Sequence, residues 1–251
     1  MSREKSTALV TGASAGLGQE FCRQLATRCD RIIAVARRGE RLQALAAELE
    51  GSAEVHCVAA DLTSVEGQTR VLEALRQKGP VDYLVNNAGF STFGAFVEQS
   101  IDSQRDMLAL HLDASISLCR AAIPFMRERG GGVIINVSSL GALLPGKHFS
   151  VYGATKAFLN HFSEALQQEV VDSGIQVQAL CPGFTRTEFH DVMSGRSFDR
   201  ERIPPEGWMA SADVVAASLA ALGSGRVLVV PGEQNLAIAR SALEKALAQL
   251  G

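Results

Sequence analysis

Short runs of β-branched and aliphatic residues alternate along the chain with segments whose apolar positions recur every three or four residues. The runs are Ala8 to Val10, Ile32 to Val35, Val55 to Ala59, Tyr83 to Val85, Val133 to Val137, Ile175 to Leu180 and Val227 to Val230. They are short and rich in β-branched residues, interrupted by polar side chains only at His56, Asn136, Gln176 and Gln178, so about seven strands are predicted, in a parallel sheet covered on both sides. Between them, Leu17, Phe21 and Leu25, then Leu42, Leu45 and Leu49, then Phe158, Phe162, Leu166 and Val170 each fill one face of a helix. The expected fold class is therefore α/β, a doubly wound parallel sheet with helices on both faces. A last stripe of Leu236, Ala239, Leu243, Leu247 and Leu250 predicts a C-terminal helix packed on the sheet, with an oligomer contact as its other use.

No internal repeat, low-complexity tract or Pro/Ser linker divides the sequence, so residues 1–251 read as one domain. The longest aperiodic stretch, 187–208, is interrupted by Gly195, Pro204, Pro205 and Gly207. Its length suits a substrate lid, a plain surface loop being the alternative. With 47% hydrophobic and 20% charged residues, the chain can bury a substantial core. A net charge of -3 gives no general field for a polyanion, although Arg31, Arg37, Arg38 and Arg41 cluster locally, and no nucleic-acid partner is expected. The five cysteines are scattered, and His56, His148, His161 and His190 share no ligand spacing with them, so no metal is expected and free thiols point to a reducing compartment. Residues 1–5 lead directly into the first strand, and no apolar run approaches bilayer length, which predicts a cytoplasmic protein without a membrane partner.

The first strand ends in the turn Thr11-Gly12-Ala13-Ser14-Ala15-Gly16-Leu17-Gly18, followed by an amphipathic helix. Glycines there permit a tight turn and let backbone N–H groups approach a pyrophosphate at the positive end of the helix dipole. That context predicts a Rossmann dinucleotide site with Gly12, Ser14, Gly16, Leu17 and Gly18 at the cofactor. At the end of the second strand, Ala36 leaves empty the place where an acidic residue would bond a ribose 2′-OH, and Arg37 and Arg38 follow. Arginine suits a 2′-phosphate, so NADP(H) is expected over NAD(H). A third group comprises Ser139, just after the fifth strand, and Tyr152 and Lys156, one helical turn apart. A phenol needs nearby positive charge to act as acid or base near neutrality, Lys156 can supply it, and Ser139 can bond a substrate oxygen as charge develops there.

Taken with these motifs, the sequence resembles the short-chain dehydrogenase/reductase family over almost all of its length. Asp61-Leu62 after the third strand, Asn86-Asn87-Ala88-Gly89 after the fourth, Ser138-Ser139, and Pro182-Gly183-Phe184-Thr185-Arg186-Thr187 after the sixth complete the resemblance. It implies that Asp61 and Leu62 lie at the adenine. Asn87, Ala88 and Gly89 would follow the cofactor, and Pro182, Gly183, Thr185 and Thr187 would meet its nicotinamide end. Tyr152 would donate the proton in reduction, and Lys156 would also bind the nicotinamide ribose. A homodimer or homotetramer is implied as well. One departure stands out, because His111 occupies the place where the family usually carries an asparagine. A catalytic His111 would enter the proton relay behind Lys156 and titrate near neutral pH; a satisfied buried histidine is the other reading.

Phe90, Phe93, Phe96, Leu144, Phe149, Phe184, Phe189, Phe198 and Trp208 fall in segments expected around the site and suggest an apolar substrate pocket. The expected activity is hydride transfer between NADP(H) and a small carbonyl or alcohol, an apolar ketone or aldehyde above all. An NAD-dependent alcohol dehydrogenase, or a catalytically weak cofactor-binding sensor or scaffold, are the alternatives.

Overall fold

The computed structural model describes residues 6–190, 194–195, 199, 201 and 203–250. Seven strands form the main sheet: β1 (Thr7–Thr11), β2 (Arg31–Ala36), β3 (Glu54–Ala59), β4 (Tyr83–Asn86), β5 (Gly132–Val137), β6 (Ile175–Leu180) and β7 (Leu228–Val229). Every pairing is parallel, and the spatial order is β7-β6-β5-β4-β1-β2-β3. The chain runs outward from β1 to β3, then returns to place β4 on the other flank of β1. Strand order reverses between β1 and β4, and the crevice beyond the carboxyl ends of those strands is where doubly wound sheets bind ligands.

Helices cover both faces, as the apolar runs require. Phe21 and Leu25 of α1 (Gly16–Leu25), Leu42 and Leu45 of α2 (Gly39–Glu48), and Val214, Val215 and Leu219 of α7 (Ser211–Ala220) share one buried cluster with β1 and β2. The opposite cluster takes Val71 and Leu75 of α3 (Val65–Lys78), Leu118, Ala122 and Met126 of α5 (Ala114–Glu128), and Leu166 and Val170 of α6 (Ser150–Val170). On α6 the buried face is more polar than its sequence stripe suggested. It comprises Thr155, Lys156, Leu159, Asn160, Ser163, Leu166 and Val170, while Phe158 and Phe162 stack on each other at 5.7 Å at its half-buried edge.

Two other expectations are corrected. In α8 (Glu233–Ala248) only Asn235 and Ala239 are buried, and Leu243 and Leu247 are exposed, so the C-terminal stripe is not packed on the sheet along its length. Continuous helix spans 101–128, joining α4 (Ile101–Leu108) to α5 through a π-turn at Ala109–Asp113, and by length and composition it could cross a bilayer. Its apolar face instead joins the core through Ala114, Leu118, Cys119, Ala122 and Met126, the behaviour of a core helix. Of the segment 187–208, expected as a lid, residues 191–193, 196–198, 200 and 202, Phe198 among them, lie outside the described residues. Thr185–Arg186 pairs with Met209–Ala210 at its two ends, and Ser194–Gly195 within it pairs with Thr92–Phe93. The Arg186 guanidinium bonds the carbonyls of Trp208 and Pro205 at 3.0 and 2.9 Å, tying the segment's return to its start.

Candidate active site

A cavity of about 580 Å³ opens at the strand-order reversal. Gly12, Ser14, Gly16 and Leu17 line it from the loop after β1, and Arg37 and Arg38 from the end of β2. Asp61 and Leu62 follow from β3, then Asn87, Ala88 and Gly89 from β4. Its far end is closed by Ser139, Tyr152 and Lys156, with Pro182, Gly183, Thr185 and Thr187 along the side. The sequence thus named residues from six strand ends and one helix that do converge.

Gly18 is the exception among the nucleotide-site residues, since it does not line the cavity. A side chain there would strike the Gly12 carbonyl and the Asn87 amide, so Gly18 lets α1 pack against the loop rather than touching a ligand. Gly12 has a different reason to be glycine: its φ is +68°, and a Cβ would stand 2.6 Å from Asn87 Nδ2. Thr11 fixes the neighbouring strand end, its Oγ1 accepting from the backbone N–H groups of Asn87 and Ala88, both at 2.9 Å. The Asn87 amide donates to the Thr11 carbonyl at 2.8 Å.

At the other end, Ser139 Oγ accepts from the Gly141 N–H at 3.0 Å, which leaves its hydroxyl proton to be donated. Burial pushes the Tyr152 phenol up to about 12, and a hydrogen bond with Ser139 opposes that rise. Burial brings Lys156 down to about 7, a drop opposed by the adjacent Cys181 thiol. The lysine ammonium donates to the Val137 carbonyl at 2.8 Å and lies 5.7 Å from the Tyr152 ring centre. The lowered phenol pKa expected from Lys156 is therefore not realised. Desolvation dominates, because both groups leave water and the ammonium is directed to a backbone oxygen rather than to the phenol.

His111 sits behind this wall, 1% exposed, and does not line the cavity. Its Nε2 accepts from the Phe90 N–H at 3.2 Å, so the ring proton resides on Nδ1, 2.8 Å from Thr155 Oγ1. Thr155 in turn donates to the Tyr152 carbonyl at 2.7 Å. Burial, and secondarily the charge of Lys156, hold the imidazole well below its ordinary pKa. The expectation of a titrating His111 in the relay is corrected on that geometry: both nitrogens are engaged, neither reaches Lys156, and a second proton would face the Phe90 N–H. The ring links β4's following loop to the backbone of Tyr152.

The aromatic expectation is met in part. Phe90, Leu144, Phe149, Phe184 and Phe189 line the cavity, with Phe149 and Phe189 at 6.2 and 6.0 Å from the Tyr152 ring. Phe93 and Trp208 stand one layer back, against Phe149 at 4.9 Å and Phe184 at 5.4 Å, and Phe96 is exposed. Sequence reasoning missed Thr155, whose hydroxyl on the face of Tyr152 and Lys156 was a usable signal. It also missed Glu188, which bonds Arg38 and Arg41 from 150 and 147 residues away and has no local signature.

Among known sequences and structures, the sequence model described as short chain dehydrogenase matches residues 6–195. The chain is 37% identical over 191 residues to a serine 3-dehydrogenase of Rhizobium radiobacter, covering 75% of this chain and 76% of that protein. A short-chain dehydrogenase from Sphingobium yanoikuyae in complex with NADPH superimposes with a TM-score of 0.86 at 34% identity, covering 98% of this chain and 94% of that one. A bulky-bulky ketone specific alcohol dehydrogenase from Comamonas testosteroni gives a TM-score of 0.79 at 29% identity, with coverages of 97% and 94%.

Proposed function

The chain belongs to the short-chain dehydrogenase family, and from that premise we propose that it is an NADP(H)-dependent oxidoreductase acting on an apolar ketone or aldehyde, or on the corresponding alcohol. The observation that carries this reading is the convergence of Ser139, Tyr152 and Lys156 at the apolar end of a cavity whose other end holds the glycine loop and two arginines.

The residues fit the cofactor. Gly12 lines the cavity with a left-handed backbone, φ +68°, that glycine adopts without strain, and Arg37, in no hydrogen bond or ion pair among the described residues, is available at the end of β2 for a 2′-phosphate. The NADPH complex of the Sphingobium relative supports the same choice. Bound there, the cofactor supplies or accepts the hydride. The loop from Gly12 to Leu17 would hold its pyrophosphate, Asp61 and Leu62 its adenine, and Asn87, Ala88 and Gly89 its length. Pro182, Gly183, Thr185 and Thr187 would seat its nicotinamide end. Ser139 positions the substrate oxygen through its hydroxyl proton. Tyr152 delivers a proton to that oxygen in reduction and takes it back in oxidation. Lys156 binds the nicotinamide ribose and, when protonated, favours the phenolate that Tyr152 leaves behind.

Substrate polarity follows from the walls. Beyond Lys156, no lysine or arginine lines the cavity's substrate end among the described residues, while Phe90, Leu144, Phe149 and Phe189 do. A neutral, bulky carbonyl compound suits that lining better than a carboxylate-bearing one, and the Comamonas relative named for bulky ketones supports this. Exposed Leu243 and Leu247 on α8, and Leu108 and Ile116 on the 101–128 helix, support assembly as a homodimer or homotetramer. A turnover screen of aryl, aliphatic and carboxylated carbonyls and alcohols with all four nicotinamide forms tests the reading. NADPH-linked reduction of neutral bulky ketones is the expected result; turnover confined to carboxylated substrates or to NADH would overturn it.

A further inference from the structure

We propose that Glu188 is an internal competitor of the cofactor's 2′-phosphate, holding Arg38 until that phosphate takes it, an inference that rests on the NADP(H) reading above. Arg38 Nη1 lies 2.9 Å from one Glu188 oxygen, and Arg41 Nη1 lies 2.6 and 2.8 Å from the two of them. The remaining nitrogens of Arg38, Nε and Nη2, donate to Ser14 Oγ at 3.2 and 3.0 Å. One carboxylate thus joins the turn after β6 to the start of α2 and, through Arg38, to the glycine loop.

The clasp occupies the ground that a 2′-phosphate needs. Arg38, Ser14 and Glu188 all line the large cavity beside Ala36 and Arg37, whereas Arg41 does not. Arg41 faces a neighbouring cavity of about 440 Å³, which Glu188 also borders. The carboxylate can therefore give up Arg38 and keep Arg41 by moving outward. The three side chains are 45%, 47% and 44% exposed for Arg38, Arg41 and Glu188, so these pairs are bathed by water and hold weakly. A phosphate brings more charge and three acceptor oxygens to the same guanidinium. A nucleotide without the 2′-phosphate leaves the clasp closed.

The exchange also reaches the substrate end. Glu188 is followed by Phe189, 6.0 Å from Tyr152, and by His190, 5.1 Å from Trp208. Trp208 is the chain's single tryptophan, so its emission reports on this turn.

The test compares wild type, Glu188→Gln and Glu40→Gln by calorimetric titration with 2′,5′-ADP and 5′-AMP, with Trp208 emission recorded in parallel. Glu40 is an exposed carboxylate beside Arg41 with no ion pair among the described residues, so its variant measures the effect of net charge alone. Glu188→Gln is expected to tighten 2′,5′-ADP about fivefold and leave 5′-AMP within about twofold. In wild type 2′,5′-ADP shifts Trp208 emission, and in Glu188→Gln the shift is largely lost. Unchanged or weaker 2′,5′-ADP binding by Glu188→Gln, with a wild-type preference over 5′-AMP intact, overturns the competition alone. Equal tightening in Glu40→Gln overturns it too. If wild type and Glu188→Gln each bind the two nucleotides equally, the NADP(H) reading falls, and this inference with it.

Discussion

Replacing His111 with leucine separates a structural from a proton-relaying imidazole, because the two roles respond oppositely to pH. The side chains are of similar bulk, so the main losses are two hydrogen bonds. The Phe90 N–H is left without its acceptor, at a cost of about 1–3 kcal/mol, and Thr155 loses one bond worth about 0.5–1.5 kcal/mol while keeping its donation to Tyr152. His111→Leu is therefore expected to lower stability by about 2–4 kcal/mol at about pH 7.5. Because the folded pKa is depressed, the unfolded chain binds the proton first, and wild-type stability is lost as pH falls from about 6.5 toward the folded value. Between about pH 7.5 and pH 5.5 that linkage costs the wild type about 1.3 kcal/mol, and the leucine variant escapes it. Urea unfolding of the two cofactor-free proteins at both pH values should show the stability gap narrowing by that amount. A gap that stays constant or widens on acidification would mean that the folded protein carries a charged His111, and the hydrogen-bond assignment would be wrong. The kcat–pH profile of His111→Asn should superimpose on that of wild type after scaling, whereas a lost or displaced limb would restore the relay role.

Three further outcomes are expected. Tyr152→Phe keeps the ring packed between Phe149 and Phe189 but removes the proton donor, so kcat should fall by at least about a hundredfold with NADPH affinity retained; substantial residual turnover would assign the proton to another group. Arg37→Ala should weaken NADPH binding about tenfold or more, since a charge-assisted bond to phosphate is worth about 1.5–3 kcal/mol, and leave NADH nearly untouched, which equal losses in fluorescence titrations would contradict. Lys156→Met should be inactive yet roughly 2 kcal/mol more stable than wild type near pH 7, because the folded lysine pKa is depressed to about 7 and the desolvation cost exceeds the lost bond to Val137. Wild-type stability then rises from about pH 7 to pH 10, so the variant's advantage should shrink over that range in denaturant titrations.

The sheet was legible because its strands are short runs rich in β-branched and aliphatic residues set between helical-period segments, and all seven runs fall within or overlap observed strands. The convergence of Ser139, Tyr152 and Lys156 was legible for a related reason: the three lie at one strand end and within one helical turn. Legibility ended where a group's behaviour depends on distant partners. The state of His111 is set by Phe90 and Thr155, 21 and 44 residues away, and no spacing rule connects them. The Tyr152 phenol was read from its neighbour's charge, but burial outweighs that charge, and burial is a tertiary property. The α8 leucines show the same limit, since periodicity reveals a stripe without saying what covers it.

The π-turn at Ala109–Asp113 makes the helix sensitive to its residue count in a way that substitutions do not expose. A wider turn accommodates an additional residue relative to α-helical winding, and each residue rotates an α-helix by about 100°. Deleting Leu110 would let 101–128 wind as ordinary α-helix, with better internal hydrogen bonding, while turning α4 by about that angle relative to α5. Met107 would leave the core, and the link from Phe90 through the imidazole to Thr155 would be cut. In this protein a more regular helix is the damaging one, because the wider turn at 109–113 sets the rotation of α4 against α5.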